Sequence, residues 1–309
     1  FMDSRAFNSI VPDRIQDVDE YDYLQAYGEL YFKDLLGPGQ PMSIQAGRLA
    51  VDYVDRRLRS RNGFRNTVNS FDGFRLRFGE RESRWELDIF AAQPVVIRPR
   101  RPDRPNEEQW FYGVVGAWRG WSPWVTLDPY YLVFDEDLRG WQAADTEIHA
   151  LGLRAYGDIG RTGFDYDVNG TLELGKNQGF RQDAIATHLE LGYTFEHAWK
   201  PRLAGWFNYA SGDNLEQRFD RFFGSSHAFY GFTDYFSLDN LMQPAVELRL
   251  HPDDDTTVSL LYRANWLASK RDGWVRGNRF DPTGESGRFI GQEIDILFKE
   301  LLISVTSFF

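Results

Sequence analysis

Residues 245–268 read AVELRLHPDDDTTVSLLYRANWLA. Val246, Leu248 and Leu250 alternate with Glu247 and Arg249. After a polar turn at residues 251–256, Val258, Leu260, Tyr262, Ala264 and Trp266 alternate with Ser259, Arg263 and Asn265. Period-2 alternation in two runs joined by a turn predicts an antiparallel hairpin. Its polar face carries arginine and glutamate in mid-strand. A soluble sandwich turns such residues to bulk water, whereas a membrane barrel turns them to an aqueous lumen and its apolar face to lipid.

Working outward, the same alternation recurs along the chain. Strands are expected at residues 19–35, 41–52, 71–79, 85–90, 109–119, 123–134, 146–156, 163–175, 184–195, 202–210, 289–298 and 301–309. Phe164, Tyr166, Val168, Leu172 and Leu174 oppose Asp165, Asp167, Asn169, Thr171 and Glu173 with great regularity. Residues 53–70, 97–107, 135–145, 176–181, 211–236 and 269–286 read as loops. With the hairpin this makes roughly 14 strands whose connections alternate short and long, the pattern of an outer-membrane barrel with short turns at one rim and long loops at the other. The chain is therefore read as a single all-β domain over residues 1–309, a transmembrane antiparallel β-barrel. Its first and last visible strands both end at the long-loop rim. Unpaired backbone groups in hydrocarbon are costly, so further strands are expected beyond both ends.

Composition fits a barrel with aromatic girdles and a wet interior. The 309 residues hold 10 Trp, 15 Tyr and 25 Phe, yet mean hydropathy is −0.50. No apolar run is long enough for a transmembrane helix, while membrane strands need only about 9–11 residues. There is no cysteine, so disulfide and thiol chemistry are excluded. The N-terminal FMDSR lacks the basic and apolar regions of a signal peptide. A net charge of −11 argues against nucleic acid as a partner. Lysine occurs only at positions 33, 176, 200, 270 and 299, so arginine supplies nearly all of the 35 basic residues. Arginine's planar fork suits carboxylates; a codon bias would produce the same skew.

Several stretches resemble the alginate-export family of outer-membrane porins. Ala46-Gly47-Arg48 with Arg56, Asn66 and Phe71-Asp72-Gly73-Phe74-Arg75 is similar to the family's Gly-Arg and FDG strands. Tyr209-Ala210-Ser211-Gly212-Asp213-Asn214 resembles its YASGD segment. His227, Tyr230, Gly231 and Asp234 resemble its H-x-x-Y-G-x-x-D loop, and Ile290-Gly291-Gln292-Glu293-Ile294-Asp295 its IGxEID strand. The resemblance implies a barrel of about 18 strands, with about three strands before Phe1 and one after Phe309. It also implies a location in the outer membrane of a Gram-negative cell, among lipid and lipopolysaccharide, and outward passage of an alginate-like polyuronate. Periplasmic export proteins are possible partners.

A pore for a polyuronate needs positive groups spaced along its lumen without one deep trap. The candidate lumen arginines are Arg48, Arg75, Arg77, Arg154, Arg202, Arg249, Arg263 and Arg288. Candidate acidic partners are Glu86, Asp88, Asp128, Asp165, Asp167, Glu190, Glu247, Glu293 and Asp295. Parity places Arg75, Arg77, Arg249 and Arg263 on the polar face. Arg48 shares parity with Ile44 and Ala46, so its inward placement leans on the resemblance or on a bulge. A charge on the lipid face would cost roughly 2–4 kcal/mol per arginine at mid-bilayer. An ion-pair ladder with no substrate role would show the same pattern. Ser211, Gly212, Asp213, His227, Tyr230 and Asp234 belong to a long loop expected to fold over the pore.

No catalytic residue, metal site or cofactor is expected. Ser225, Ser226 and His227 near Asp234 invite a hydrolase reading, but they lie in a loop without a nucleophile elbow. Asp253-Asp254-Asp255 reads as a solvated turn rather than a calcium site. Other readings are a porin for small carboxylates on the same barrel and a soluble carbohydrate-binding sandwich.

Overall fold

The computed structural model describes residues 2–4, 18–64, 67–137, 145–213, 217–298 and 301–308. Strands β1 (Met2–Ser4) and β2 (Asp19–Asp22) pair with each other in a two-stranded sheet. The remaining strands are β3 (Ala26–Phe32), β4 (Met42–Leu49), β5 (Phe71–Phe78), β6 (Trp85–Val96), β7 (Arg104–Pro105), β8 (Gln109–Trp118), β9 (Thr126–Glu136) and β10 (Thr146–Asp158). They continue with β11 (Phe164–Asn177), β12 (Phe180–Thr194), β13 (Arg202–Ala210), β14 (Leu241–Asp253), β15 (Thr256–Leu267), β16 (Phe289–Phe298) and β17 (Leu301–Phe308). These form one 15-stranded antiparallel sheet in which each strand pairs with its sequence neighbour, except that β7 sits off the path beside β6. The path runs from β3 to β17, and those two strands are not paired with each other. No described helix is long and apolar enough to cross a membrane; strands do the crossing.

The alternation is realised residue by residue. On β11, Asn169, Thr171 and Glu173 are buried while Val168, Leu172 and Leu174 are exposed. The exposed face carries an aliphatic band that includes Leu30, Ile89, Leu151, Leu153, Ile185, Leu189, Leu191, Leu203, Leu248, Leu260 and Ile296. Beside the short turns this band gives way to Trp85, Trp118, Trp121, Trp124, Phe164, Phe195, Trp199 and Phe298, all exposed. Aliphatic surface fringed by amphipathic rings is what a bilayer selects, with the rings at headgroup level. Tyr262 points outward on the opening hairpin, and Arg263 inward.

Several boundaries differ from the sequence reading: β6 runs on to Val96, β7 lies within the loop expected at 97–107, and β14 begins at Leu241. The segment at 19–35 is two strands, because Asp22 accepts the amides of Tyr23 (2.6 Å) and Asp103 (2.5 Å) and so ends β2. The loop expected at 176–181 is a two-residue turn. Gln178 and Gly179 both have positive φ, 51° and 79°, the hairpin geometry that matches strand twist. The turn expected at 251–256 shrinks to Asp254-Asp255. A register shift between Leu250 and Asp253 absorbs Pro252, which has no N–H for the ladder. The turn expected at Lys299-Glu300 lies outside the described residues.

Inside the sheet, the described parts of the segments at 50–70 and 211–240 fold inward and pair with each other. Phe223 donates to the carbonyl of Leu58, Ser60 to that of Phe223 (both 3.1 Å), and Ser225 to that of Arg56 (2.9 Å). Together they cover an apolar cluster of Tyr53, Leu58, Phe71, Phe90, Phe111, Leu132, Phe219, Tyr230 and Phe236.

Candidate functional site

The inner face toward the short turns is a band of arginines, each held by carboxylates. Arg77 stands opposite Asp88 across β5 and β6, and Arg154 opposite Asp128 across β9 and β10. Arg75 meets Asp88 at 2.5 Å. Arg77 meets Glu86 at 3.1 Å and Asp88 at 3.8 Å. Arg119 also grips Glu86. Arg154 meets Asp167 at 2.5 Å and Asp128 at 3.7 Å, and lies over the ring of Tyr156. Arg202 binds Asp165 and, at 2.7 Å, Glu190. Arg249 meets Glu247 at 2.9 Å, two residues away on its own strand.

Arg75, Arg77, Arg81, Arg119 and Arg154 line a cavity of about 310 Å³ with Asp52, Glu86, Asp88, Asp128, Tyr53 and Tyr156. Five cations thus face four carboxylates. The sequence reading missed Asp52, Tyr53, Arg81, Arg119 and Tyr156. Arg81 and Arg119 sit at strand ends, where alternation gives no parity, and Tyr53 sits in a segment read only as a loop.

The other candidates lie elsewhere. Arg48 is buried although Ile44 and Ala46, of its own parity, are exposed. Gly47 has φ +131°, but the ladder keeps its register, and Arg48 stands opposite Asp72 with the parity of Ile44 and Ala46. It is buried because it binds Asp72 (2.8 Å) and Asp22 (3.3 Å) and lies under Tyr23 and the Asp103 carbonyl. Arg263 is not in the open cavity. It is 1% exposed and bound to Asp295 and Glu293, both at 0%. Arg288 belongs to the segment before β16 and lies at the long-loop end, outside the arginine band.

The inward segments carry chemistry that alternation could not reveal. Arg57 binds Asp55 at 2.6 Å and donates to the Tyr230 hydroxyl at 3.3 Å. Asp55 also accepts from Asn169 of β11 at 3.2 Å. Burial acts to raise the Asp55 carboxyl, but Arg57 and Arg154 outweigh it and hold it below the usual range. Arg59 sits among the rings of Phe71, Phe90, Tyr53 and Phe111, at 4.1, 4.5, 4.8 and 5.6 Å. Burial pushes its guanidinium down to about 10.

Of the loop candidates, Ser211 donates to the carbonyl of Gln217 (2.7 Å) and accepts from the Ile185 amide. Gly212 leaves no room for a Cβ beside Asn240, and Asp213 accepts from Ser269. His227 meets Asp234 at 3.2 Å and stacks on Phe64. Tyr230 is fully buried, and its carbonyl accepts from Gln243 at 2.7 Å. Among the described residues His227 makes no hydrogen bond to a serine: Ser225 bonds Asn62, and Ser226 accepts from Arg221 and Arg276. No described group of three or more His, Asp or Glu could hold a metal ion. Asn66 and Asn214 lie outside the described residues.

The fold is similar to that of three solved structures from Pseudomonas aeruginosa. OccK11 (OpdR) matches at a TM-score of 0.54 with 14% identity, over 86% of this chain and 72% of that one. OccD3 (OpdP) matches at 0.54 with 13% identity, over 86% and 68%. OccK8 (OprE) matches at 0.52 with 14% identity, over 87% and 78%. No curated protein matches. The family model for alginate export matches residues 1–306. With its lipid-facing barrel wall, the chain is an outer-membrane porin and belongs to the alginate export family.

Proposed function

We propose that this porin passes an acidic polysaccharide or oligosaccharide, an alginate-like polyuronate, passively and without covalent chemistry. The observation that carries this reading is the cavity where Arg75, Arg77, Arg81, Arg119 and Arg154 face four carboxylates. Carboxylate partners fix the guanidinium forks, so a passing uronate meets oriented donors. The same partners compete for those donors, which keeps each site shallow enough to release its cargo.

Planar-bilayer recording tests this. The wild-type pore should prefer anions and be blocked by polyuronate but not by neutral dextrin. Blockade by both, or by neither, would overturn the reading. The variant Arg75→Gln with Arg77→Gln should lower the anion-over-cation permeability ratio about two- to fivefold, matching about 0.5–1 kcal/mol for partly screened charges. An unchanged ratio removes these two residues from the path.

One observation favours a second reading, a porin for small carboxylates. The segments at 50–70 and 211–240 pack an apolar cluster into the interior, which narrows the passage. Steady flux of a monocarboxylate through a pore indifferent to polyuronate would support it.

A further inference from the structure

A second cavity is larger than that of the arginine band. It holds about 590 Å³ at the long-loop end and is lined by residues of the 268–288 segment together with Tyr235, Phe289, Ile290 and Phe308. That volume is ordinary for a small-molecule site. We propose that it is a second sugar site, a vestibule at the long-loop mouth that binds a uronate residue of the transported chain. The proposal rests on the polyuronate reading above.

Two features of the lining carry it. The first is aromatic. Trp274, Phe280, Phe289 and Phe308 give the cavity flat apolar faces, and Phe280 is 66% exposed and Phe289 38%. Trp274 is held in place: its indole N–H donates to the Tyr235 carbonyl at 2.8 Å, and its ring stacks on Phe236. Rigid rings of this kind suit the apolar face of a sugar, whose hydroxyls point sideways to water and polar groups.

The second feature is charge without a partner. Lys270, Arg279 and Arg288 all line the cavity. Among the described residues none of the three lies within 4.0 Å of a carboxylate, whereas Arg75, Arg77, Arg119 and Arg154 of the band are all paired. The two acids in the lining are already engaged. Asp272 is gripped by Arg218 through two contacts. Asp281 accepts from the Thr283 hydroxyl and from the amides of Thr283 and Ser286. Three cations that no carboxylate pairs therefore face the cavity beside exposed rings, against one lining carboxylate, Asp281, that is held only by neutral donors. A carboxylate on a pyranose ring answers both features at once. A neutral sugar answers only the rings, and a free carboxylate only the cations.

The geometry also divides the labour. The band near the short turns has paired arginines and few free donors, so it guides a polyanion. The vestibule has free cations and stacking faces, so it holds one residue longer. By the usual barrel orientation, long loops face outward, which puts the holding site at the external mouth.

The test is single-channel recording with a tri-uronate added from the long-loop side, comparing wild type with Arg279→Gln plus Arg288→Gln and with Phe280→Ala. All three side chains are exposed, so the barrel should fold, and unchanged unitary conductance in potassium chloride checks that it has. The blockade dwell time should fall about tenfold in the double variant, the factor that about 1.4 kcal/mol gives, and severalfold in Phe280→Ala. The ion preference set by the band should stay as in wild type. Wild-type blockade with unchanged dwell times in both variants overturns the vestibule and leaves the polyuronate reading standing. A wild-type pore that the tri-uronate never blocks overturns both.

Discussion

Replacing Arg263 by alanine should destabilise the barrel by about 3–5 kcal/mol, the cost of leaving buried charge uncompensated. Arg263 is 1% exposed, and its partners Glu293 and Asp295 are fully buried. Removing the cation leaves two carboxylates facing each other in a dry site. The loss extends beyond the pair. The Arg263 guanidinium donates to the Ala228 carbonyl at 2.7 Å. Glu293 accepts from the Phe232 amide (2.7 Å) and from the Thr233 (2.6 Å) and Thr306 (3.1 Å) hydroxyls. The same three residues therefore fasten the inward segment to β15, β16 and β17. A second variant separates charge from packing. Arg263→Met with Glu293→Gln and Asp295→Asn removes all three charges and keeps acceptors for Phe232 and Thr233, so it should recover most of the loss. Urea unfolding of the protein in vesicles reads both. A single variant within about 1 kcal/mol of wild type would show that Arg263 is solvated or dispensable.

This triad marks how far the sequence could be read. The parity of Val258 to Trp266 placed Arg263 on the polar face, and the structure agrees. Parity cannot tell a wet polar face from one sealed by another segment, because the seal comes from residues some 30 positions away, at Ala228 and Phe232. Arg48 shows a related limit. It keeps the parity of Ile44 and Ala46 opposite Asp72 and is buried because Asp22, Tyr23 and the Asp103 carbonyl close over it, a cover that nothing in the two-residue rhythm announces. In sequence the turn at Gln178-Gly179 reads as a loop because Lys176, Asn177 and Gln178 are polar. Yet the strands continue to Asn177 and Phe180, making β11 and β12 the longest pair. Strand existence was legible because lipid and water impose alternation on every strand alike. The inward folds of 50–70 and 211–240, and the arginines within them, follow no period and were legible only as loops.

The largest change in function should come from Arg59→Glu. Arg59 is 2% exposed, among four aromatic rings, and its Nε and Nη1 have no hydrogen-bond partner. What holds the cation there is the negative face of each ring, worth about 2 kcal/mol or more when desolvated. A carboxylate meets the same faces with the opposite sign and approaches Asp52 and Asp88, whose charges now favour Arg59. It also cannot be hydrated in that site. The segment at 50–70 should therefore leave the interior, taking with it the hydrogen bonds of Leu58 and Ser60 to Phe223. The wall itself does not depend on this segment, since every neighbouring pair of strands from β3 to β17 keeps its own ladder. The pore should stay folded and open wider, with unitary conductance raised severalfold and the 50–70 segment newly cut by protease. Arg59→Met supplies the control: it fills the aromatic cage without charge, so conductance and protection should stay near wild type. If the glutamate variant conducts like wild type with its segment still protected, the aromatic cage is not what keeps that segment inside the barrel.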